Sequence, residues 1–394
     1  MEDSAPSDSR PPEPPGPPEP PAPRAPTSPR TLAVGGAALA LALFITVGGF
    51  VQFINPAFGI WFTELFVFLA LGWVMLRYSG WRPAVYTGLT PVPRASTLFG
   101  FLLGVANFFA LVVPIQFLAQ RVAPEWLTKM FDGSRLFEEQ TNVELALILA
   151  GVTVAAPLCE EFFFRGIFQK GLTPPPPASP TRALVVSAVV FSAFHLDPVG
   201  FVARVELGLL FGWLYLRTGS IWPSIGAHAA NNAVSSVAFL AAKTLGQEAS
   251  DAETDPRAVL ALAGLGWLVL LGLLSAARRY PAVWNRSTED VDAREPGPVP
   301  SFAMLLLPWV MGATVSLGLL AAVDARGISL NFYDAQHQLP ALEKDAAPGL
   351  HAERSALNVL RAAARRGEVP MEAYHEERLR QIKAHRRVAP SKEP

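Results

Sequence analysis

VELALILAGVTVAAPLCEEFFFRGIFQK, residues 143–170, is an apolar run that ends in two adjacent carboxylates, Glu160 and Glu161, followed four positions later by Arg165. The run is long enough to span a membrane, since about 20 apolar residues in a helix cross about 30 Å of hydrocarbon. It therefore carries an acidic pair away from water, where an unpaired charge costs about 3 kcal/mol at the bilayer centre on insertion scales. Side chains with that cost belong to function far more often than to folding, so this stretch sets both the expected architecture and the expected site.

Working outward, 51% of the 394 residues are hydrophobic and only 16% are charged, a balance that falls outside the usual soluble class. Further apolar blocks lie at 31–54, 57–76, 97–118, 183–195, 201–217, 221–242, 258–277 and 303–323, which makes nine candidate spans with the fifth and sixth the shortest. The pattern predicts an all-α, multi-pass transmembrane bundle of about eight or nine spans with a polar site inside the membrane. Residues 1–30 are rich in Pro and Ser without an apolar core and read as a disordered tail. Residues 31–323 read as the transmembrane domain, and 324–394 as a polar tail with one or two surface helices between about Glu353 and Ile382.

Local signals refine this division. Thr31 to Ile54 is too long for a signal-peptide core and reads as a retained first span. Asn55 and Pro56 make a tight turn into the second. Gln120 to Asn142, with Trp126, Phe131 and Phe137 among charges, suits a piece lying in the interface. The four consecutive prolines between Leu172 and Arg182 exclude a helix there.

A formal net charge of −1 argues against nucleic acid as a partner, and the single cysteine, Cys159, rules out an internal disulfide or a cysteine-based metal cluster. Arg77, Arg82, Arg94, Lys170, Arg182, Arg217, Arg278, Arg279, Arg286 and Arg294 fall in loops on the side of the amino terminus. The positive-inside rule then predicts a cytoplasmic N-terminus and a tail on the far side. The lipid bilayer is the one partner implied directly, and oligomeric state is left open.

Of the six histidines, His195 and His228 lie in apolar blocks and the other four in the tail. At 1.5 Å per residue, Glu160, His195 and His228 sit roughly 15, 18 and 10 Å from the basic ends of their helices, within about 8 Å of one another in depth. They are expected to form one site. Glu161 and Arg165 are four apart and can pair on one helix face, which leaves Glu160, turned about 100° away, free for proton transfer. His228 and Asn232, also four apart, share a face from which both can donate to a developing oxyanion, while Asn231 points elsewhere. The structural alternative is a buried ion-pair cluster of Glu160, Glu161 and Arg165 that stitches helices together. Glu64, inside the second span, could touch the reaction site, but reads first as a structural partner for a neighbouring helix because nothing nearby matches it by spacing. Cys159, apolar in setting and without an adjacent His, reads as inert. A metal, if present, would fall to Glu160, His195 and His228, but the HExxH pattern is absent and the preferred reading requires no cofactor, with zinc the alternative.

Glu160-Glu161 with Arg165 fits EExxxR, Phe191 to His195 fits FxxxH, and His228 with Asn232 fits HxxxN, in that order. Gly208, Gly212, Tyr215, Thr218, Gly219, Ser220, Ile221, Trp222 and Pro223 resemble the lead-in to the third motif. Over about residues 140–242 the chain thus resembles the CPBP family of intramembrane proteases, which includes type II CAAX prenyl proteases and bacteriocin-immunity (Abi) proteins. The resemblance implies an intramembrane endopeptidase acting on a peptide or membrane-protein substrate, in a prokaryotic cytoplasmic membrane. In it Glu160 with His195 would activate a water, His228 and Asn232 would stabilise the tetrahedral intermediate, and Glu161 with Arg165 would support the site. Called a metalloprotease by some readings, the family has a metal-free glutamate mechanism as the other. Two further functions compete: a non-catalytic scaffold or immunity factor that keeps the fold, and a proton-coupled transporter, against which no paired apolar halves suggest an inverted repeat.

Overall fold

Every one of the nine apolar blocks is a helix in the computed structural model, which describes residues 27–133, 142–244, 255–284, 293–294, 299–340 and 348–388. In chain order they are α1 (Pro29–Ile54), α2 (Pro56–Tyr78), α3 (Arg94–Val122), α4 (Asn142–Leu172), α5 (Thr181–Phe194), α6 (Phe201–Thr218), α7 (Trp222–Thr244), α8 (Pro256–Arg279) and α9 (Phe302–Val323). The described residues contain no β-strand. Residues 1–26 of the expected disordered start, Phe137 and Arg286 lie outside the described residues. Of the expected interfacial piece, a short helix, Glu125–Met130, is present with Trp126 exposed.

Helix ends follow from residue chemistry. Ser28 Oγ accepts from the Thr31 N–H at 3.2 Å and Pro29 opens α1, an arrangement that satisfies one of the free donors of the first turn. Asn55 ends α1 in an extended conformation and caps α2, its Oδ1 accepting from the Phe58 N–H at 2.9 Å.

The nine helices divide into two kinds. Six of them, α1 to α4, α8 and α9, are long and apolar enough to cross a membrane. The other three are shorter or more polar: α5 has 14 residues, α6 carries Arg204, Glu206 and Arg217, and α7 carries His228, Asn231 and Asn232. The most extensive helix contact is between α3 and α7. It is close because Gly100 and Gly104 of α3 lie directly against the carbonyls of Pro223 and Ala227, where a side chain would not fit. Phe68, Phe162, Phe163, Phe164, Phe191, Phe194 and Phe211 fill the centre of the bundle, with Phe164 at 5.3 Å from Phe191 and 5.1 Å from Phe194, edge to face.

The polar tail is more organised than its sequence suggested. Besides α10 (Ala325–Gln336), it has two helices over the stretch where one or two were expected, α11 (Pro348–Arg366) and α12 (Met371–Val388), and the three pack around Leu330, Leu357, Ala364 and Tyr374. Its alternation of small apolar and charged residues is the pattern of helices that bury a narrow stripe against each other. The unit is clasped to the membrane part. Arg365 pairs with Asp324 at 2.5 Å and with Glu144, in the first turn of α4, at 2.6 Å. Asn55 Nδ2 donates to Asp324 at 2.9 Å, and Asn331 Nδ2 donates to the backbone carbonyls of Phe53 and Ile54. Replacing Arg365 by Ala leaves two carboxylates facing each other without a cation and is expected to weaken the clasp by about 2–3 kcal/mol. Limited proteolysis of detergent-solubilised protein should then cut within α11 and α12 faster than in wild type; an unchanged digestion pattern would show that Arg365 does not hold the tail.

Candidate active site

The buried end of α4 sets the site. Glu161 and Arg165 are both fully buried and pair at 2.9 Å through Arg165 Nη1 and Glu161 Oε1, as their spacing predicted. The same Glu161 oxygen accepts from His228 Nδ1 at 2.9 Å, so one carboxylate joins the arginine of its own helix to the histidine of α7. Because a carboxylate only accepts, Nδ1 carries the hydrogen and Nε2 is the nitrogen turned toward the remaining site, 4.0 Å from Glu160 Oε2.

Aromatic rings fix this geometry. The His228 ring stacks on Phe211 with centroids 4.8 Å apart and meets the edge of Phe191 at 5.8 Å. The Arg165 guanidinium lies over the same two rings, at 4.4 Å from Phe191 and 5.2 Å from Phe211, a cation–π arrangement that partly replaces lost hydration. Arg165 Nη2 also donates to the Gly208 carbonyl of α6 at 3.3 Å, and Gln169 Nε2, one turn on, to the Gly212 carbonyl at 3.0 Å. Phe191 of FxxxH is therefore a platform for the arginine and the histidine of the other two motifs.

His195 stands at the end of its apolar block, which the sequence bounds at 183–195. It follows the last residue of α5 and is exposed, because the next residues, Leu196, Asp197, Pro198, turn the chain; Leu196 has φ +53°, a left-handed backbone costly for a branched side chain. His195 Nδ1 donates to the Phe191 carbonyl at 3.0 Å, leaving the Nε2 lone pair free, and the ring lies within electrostatic range of His228, Arg204 and Asp197. Asp197 itself pairs with Arg204 at 2.8 Å and accepts from the Val199 N–H at 2.9 Å.

Asn232 donates one amide hydrogen to the Val152 carbonyl of α4 at 2.8 Å, which ties α7 to α4 and leaves its second N–H available. Asn231, expected to point elsewhere, joins it: its Nδ2 donates to Asn232 Oδ1 at 3.1 Å and its own Oδ1 is buried without a partner. Glu64 is 6% exposed and lies on the face of α2 that packs on α4, one turn before Phe68, which meets Phe163 and Phe164. The signal was present, a carboxylate inside a span, but nothing in its spacing linked it to a motif 96 residues away, 160 minus 64. Cys159 is fully buried.

No three His, Cys, Asp or Glu side chains among the described residues are grouped to hold a metal ion. The set Glu160, His195 and His228 thus does not fit the convergent three-ligand geometry of a zinc site, and no step is derived through one.

A multi-pass helical membrane protein with Glu, Arg and His held together inside the bundle is the class that the fold and site define. Residues 142–234, about a quarter of the chain and containing all three motifs, match the family model described as type II CAAX prenyl endopeptidase Rce1-like. Over that core the chain is similar to the type II CAAX prenyl endopeptidases. No curated protein and no solved structure matches the chain.

If Glu161 neutralises Arg165 and His228 together, removing it alone strands a buried cation. Glu161→Ala is expected to destabilise by about 3 kcal/mol or more, whereas Glu161→Ala with Arg165→Leu costs less than the single change. Thermal unfolding of the purified variants in one detergent checks this, and a double variant less stable than either single would refute the shared-carboxylate account.

Proposed function

We propose that this chain is an intramembrane endopeptidase in which Glu160 activates a water against a peptide bond. The observation that carries the reading is the Glu160–His228–Glu161–Arg165 chain of contacts, with Glu160 facing His228 Nε2 at 4.0 Å, inside the segment that matches an endopeptidase family.

In this reaction Glu160, assisted by the free Nε2 lone pair of His195, takes a proton from water as its oxygen bonds to the scissile carbonyl carbon. The carbonyl oxygen becomes an oxyanion, stabilised by the second N–H of Asn232 and by Nε2–H of a charged His228 that Glu161 holds. Glu160 then gives its proton to the departing amine as the C–N bond breaks. The carboxylate of Glu161 with Arg165 keeps both the tautomer and the orientation of His228. Supporting the reading against a passive scaffold, the arrangement leaves the two groups a hydrolase needs, a carboxylate and an oriented imidazole, facing one another rather than sealed in a closed ion pair.

We also propose that the N-terminal side of α1 is cytoplasmic. Arg77, Arg82, Arg94, Lys170 and Arg217 gather at one end of the bundle, where Lys170 Nζ donates to the Tyr86 carbonyl and Arg217 lies 5.3 Å over Trp284, and the tail occupies the other end. In a prokaryotic host that end would face the interior.

Two measurements test these readings. With protein in liposomes and a quenched fluorescent peptide as probe, farnesylated at a CAAX cysteine or unmodified, Glu160→Gln should lower the cleavage rate by about 10²–10⁴-fold. Cleavage at the wild-type rate removes Glu160 from the mechanism, and complete loss on chelation that only zinc restores would overturn its metal-free form. For topology, Val359→Cys, exposed on α11, should react with a membrane-impermeant maleimide in intact cells; reaction only after permeabilisation would invert the orientation.

A further inference from the structure

The tight contact between α3 and α7 leaves a furrow beside it. The two helices run in the same direction, with Gly100 against Pro223 and Gly104 against Ala227, and the furrow alongside has a volume of about 650 Å³. One wall is a stripe of α3, Arg94, Thr97, Leu98 and Phe101; the other is Trp222 with Gly226 of α7, residues at spacings that share a helix face. Gly226 is the floor: a Cβ there would lie 2.6 Å from the Thr97 carbonyl oxygen, so a side chain would push the helices apart. Positions 226 and 228 are about 200° apart on α7, which puts the furrow on the side away from His228 and the acidic pair.

Polarity changes along the furrow. At its mouth is Arg94, the first residue of α3, exposed and without a carboxylate partner among the described residues. At its far end is Phe101, seven residues on (101 minus 94) and so about 10 Å deeper. Leu98 and Phe101 are 58% and 39% exposed, so the furrow opens toward lipid, and the half-buried Trp222 is a residue type that sits at headgroup level. An amphiphile with a negative head and an apolar chain fits this order. The charge at that end selects the head. The loops 77–94, 170–182 and 217–222 contain no Asp or Glu, and besides Arg94 they bring Arg82, Lys170 and Arg217 there. A head with its own ammonium would set that cation among these side chains, whereas an anionic head would not. We infer that the furrow between α3 and α7 binds one anionic phospholipid of the bilayer, its phosphate on Arg94 and one acyl chain along Leu98, Phe101 and Trp222. Seated there, the lipid bridges the two helices whose contact lets His228 reach Glu161, and its binding does not depend on whether the polar site cleaves peptides.

Thermal unfolding of the purified protein in a neutral detergent, titrated with dioleoyl phosphatidylglycerol, tests the assignment. A ligand of the folded state raises Tm, so the midpoint should rise with phosphatidylglycerol and not with phosphatidylcholine or inorganic phosphate at equal concentration. Arg94→Gln should raise the lipid concentration needed for half of the rise about tenfold, and Arg82→Gln, an exposed arginine of the same end outside the furrow, by no more than about twofold. Phe101→Ala, which keeps Arg94, should raise it about threefold or more through the lost chain contact. Native mass spectrometry should find one phosphatidylglycerol retained by wild type and none by Arg94→Gln, whatever the stability of the variant without lipid. Equal losses in the Arg94 and Arg82 variants would reduce the effect to diffuse surface charge and overturn the site. So would phosphatidylcholine as effective as phosphatidylglycerol, a full rise with phosphate alone, or displacement of the retained lipid by the farnesylated CAAX peptide, which would give the furrow to the substrate.

Discussion

The structure depends on one carboxylate that serves two cations. Glu161 Oε1 accepts from Arg165 and from His228 at 2.9 Å each, with no exposed surface on either Glu161 or Arg165. A guanidinium and a carboxylate in a membrane-spanning bundle are each expensive, and their attraction offsets the desolvation only when the geometry is fixed and the remaining donors are used. The surroundings meet that demand in several ways at once. Phe191 and Phe211 take the faces of the guanidinium, Gly208 of α6 offers a carbonyl, and glycines at 100 and 104 let α7 approach closely enough for His228 to reach across. These elements come from α3, α5 and α6, so the ion cluster and the packing of α3 to α7 are one problem with one solution.

That requirement explains the two kinds of helix. The helices that carry polar groups inward, α5, α6 and α7, gain less from contact with lipid and are shorter or less apolar, whereas α8 and α9 present most of their side chains outward. The outer apolar helices supply the low-dielectric surroundings; α4, although long and apolar, carries Glu160, Glu161 and Arg165 into them, where α7 supplies His228. The same segregation places the tail clasp far from the polar core along α4: Glu144 meets Arg365 in the first turn, and Glu160 lies 16 residues, 160 minus 144, further on. At 1.5 Å per residue that separation is about 24 Å, so the tail braces the helix that carries the acidic pair without touching the pair itself.

Much of this was legible in residue order. The nine helices followed from the spacing of apolar blocks, and the Glu161–Arg165 pair from a four-residue interval, because both are local properties of a helix. What escaped was non-local. Glu64 falls on the face of α2 that packs on α4 through the register of two parallel helices, which no single-helix period encodes. Asn231 was assigned to another face by an ideal 100° step, yet its amide is long enough to turn and reach the neighbouring Asn232. His195, by contrast, closes the apolar block bounded at 183–195, and the Asp197-Pro198 pair that follows ends the helix there and sets the ring at its end. The tail looked like isolated surface helices since its apolar stripe is narrow, and only the third helix, α10, completes a core for it.

The charges of the site are close to balanced, and that balance bears on which groups can move protons. Arg165 is held by Glu161, so a charged His228 would leave one positive charge for which Glu160 is the counterion at 4.0 Å. In the proposed reaction, any proton that Glu160 accepts makes the cluster net positive by one charge. Under the proposed mechanism, that excess offsets the charge of a developing oxyanion most where the oxyanion forms beside His228, so attack there lets the charge gained and the charge created cancel.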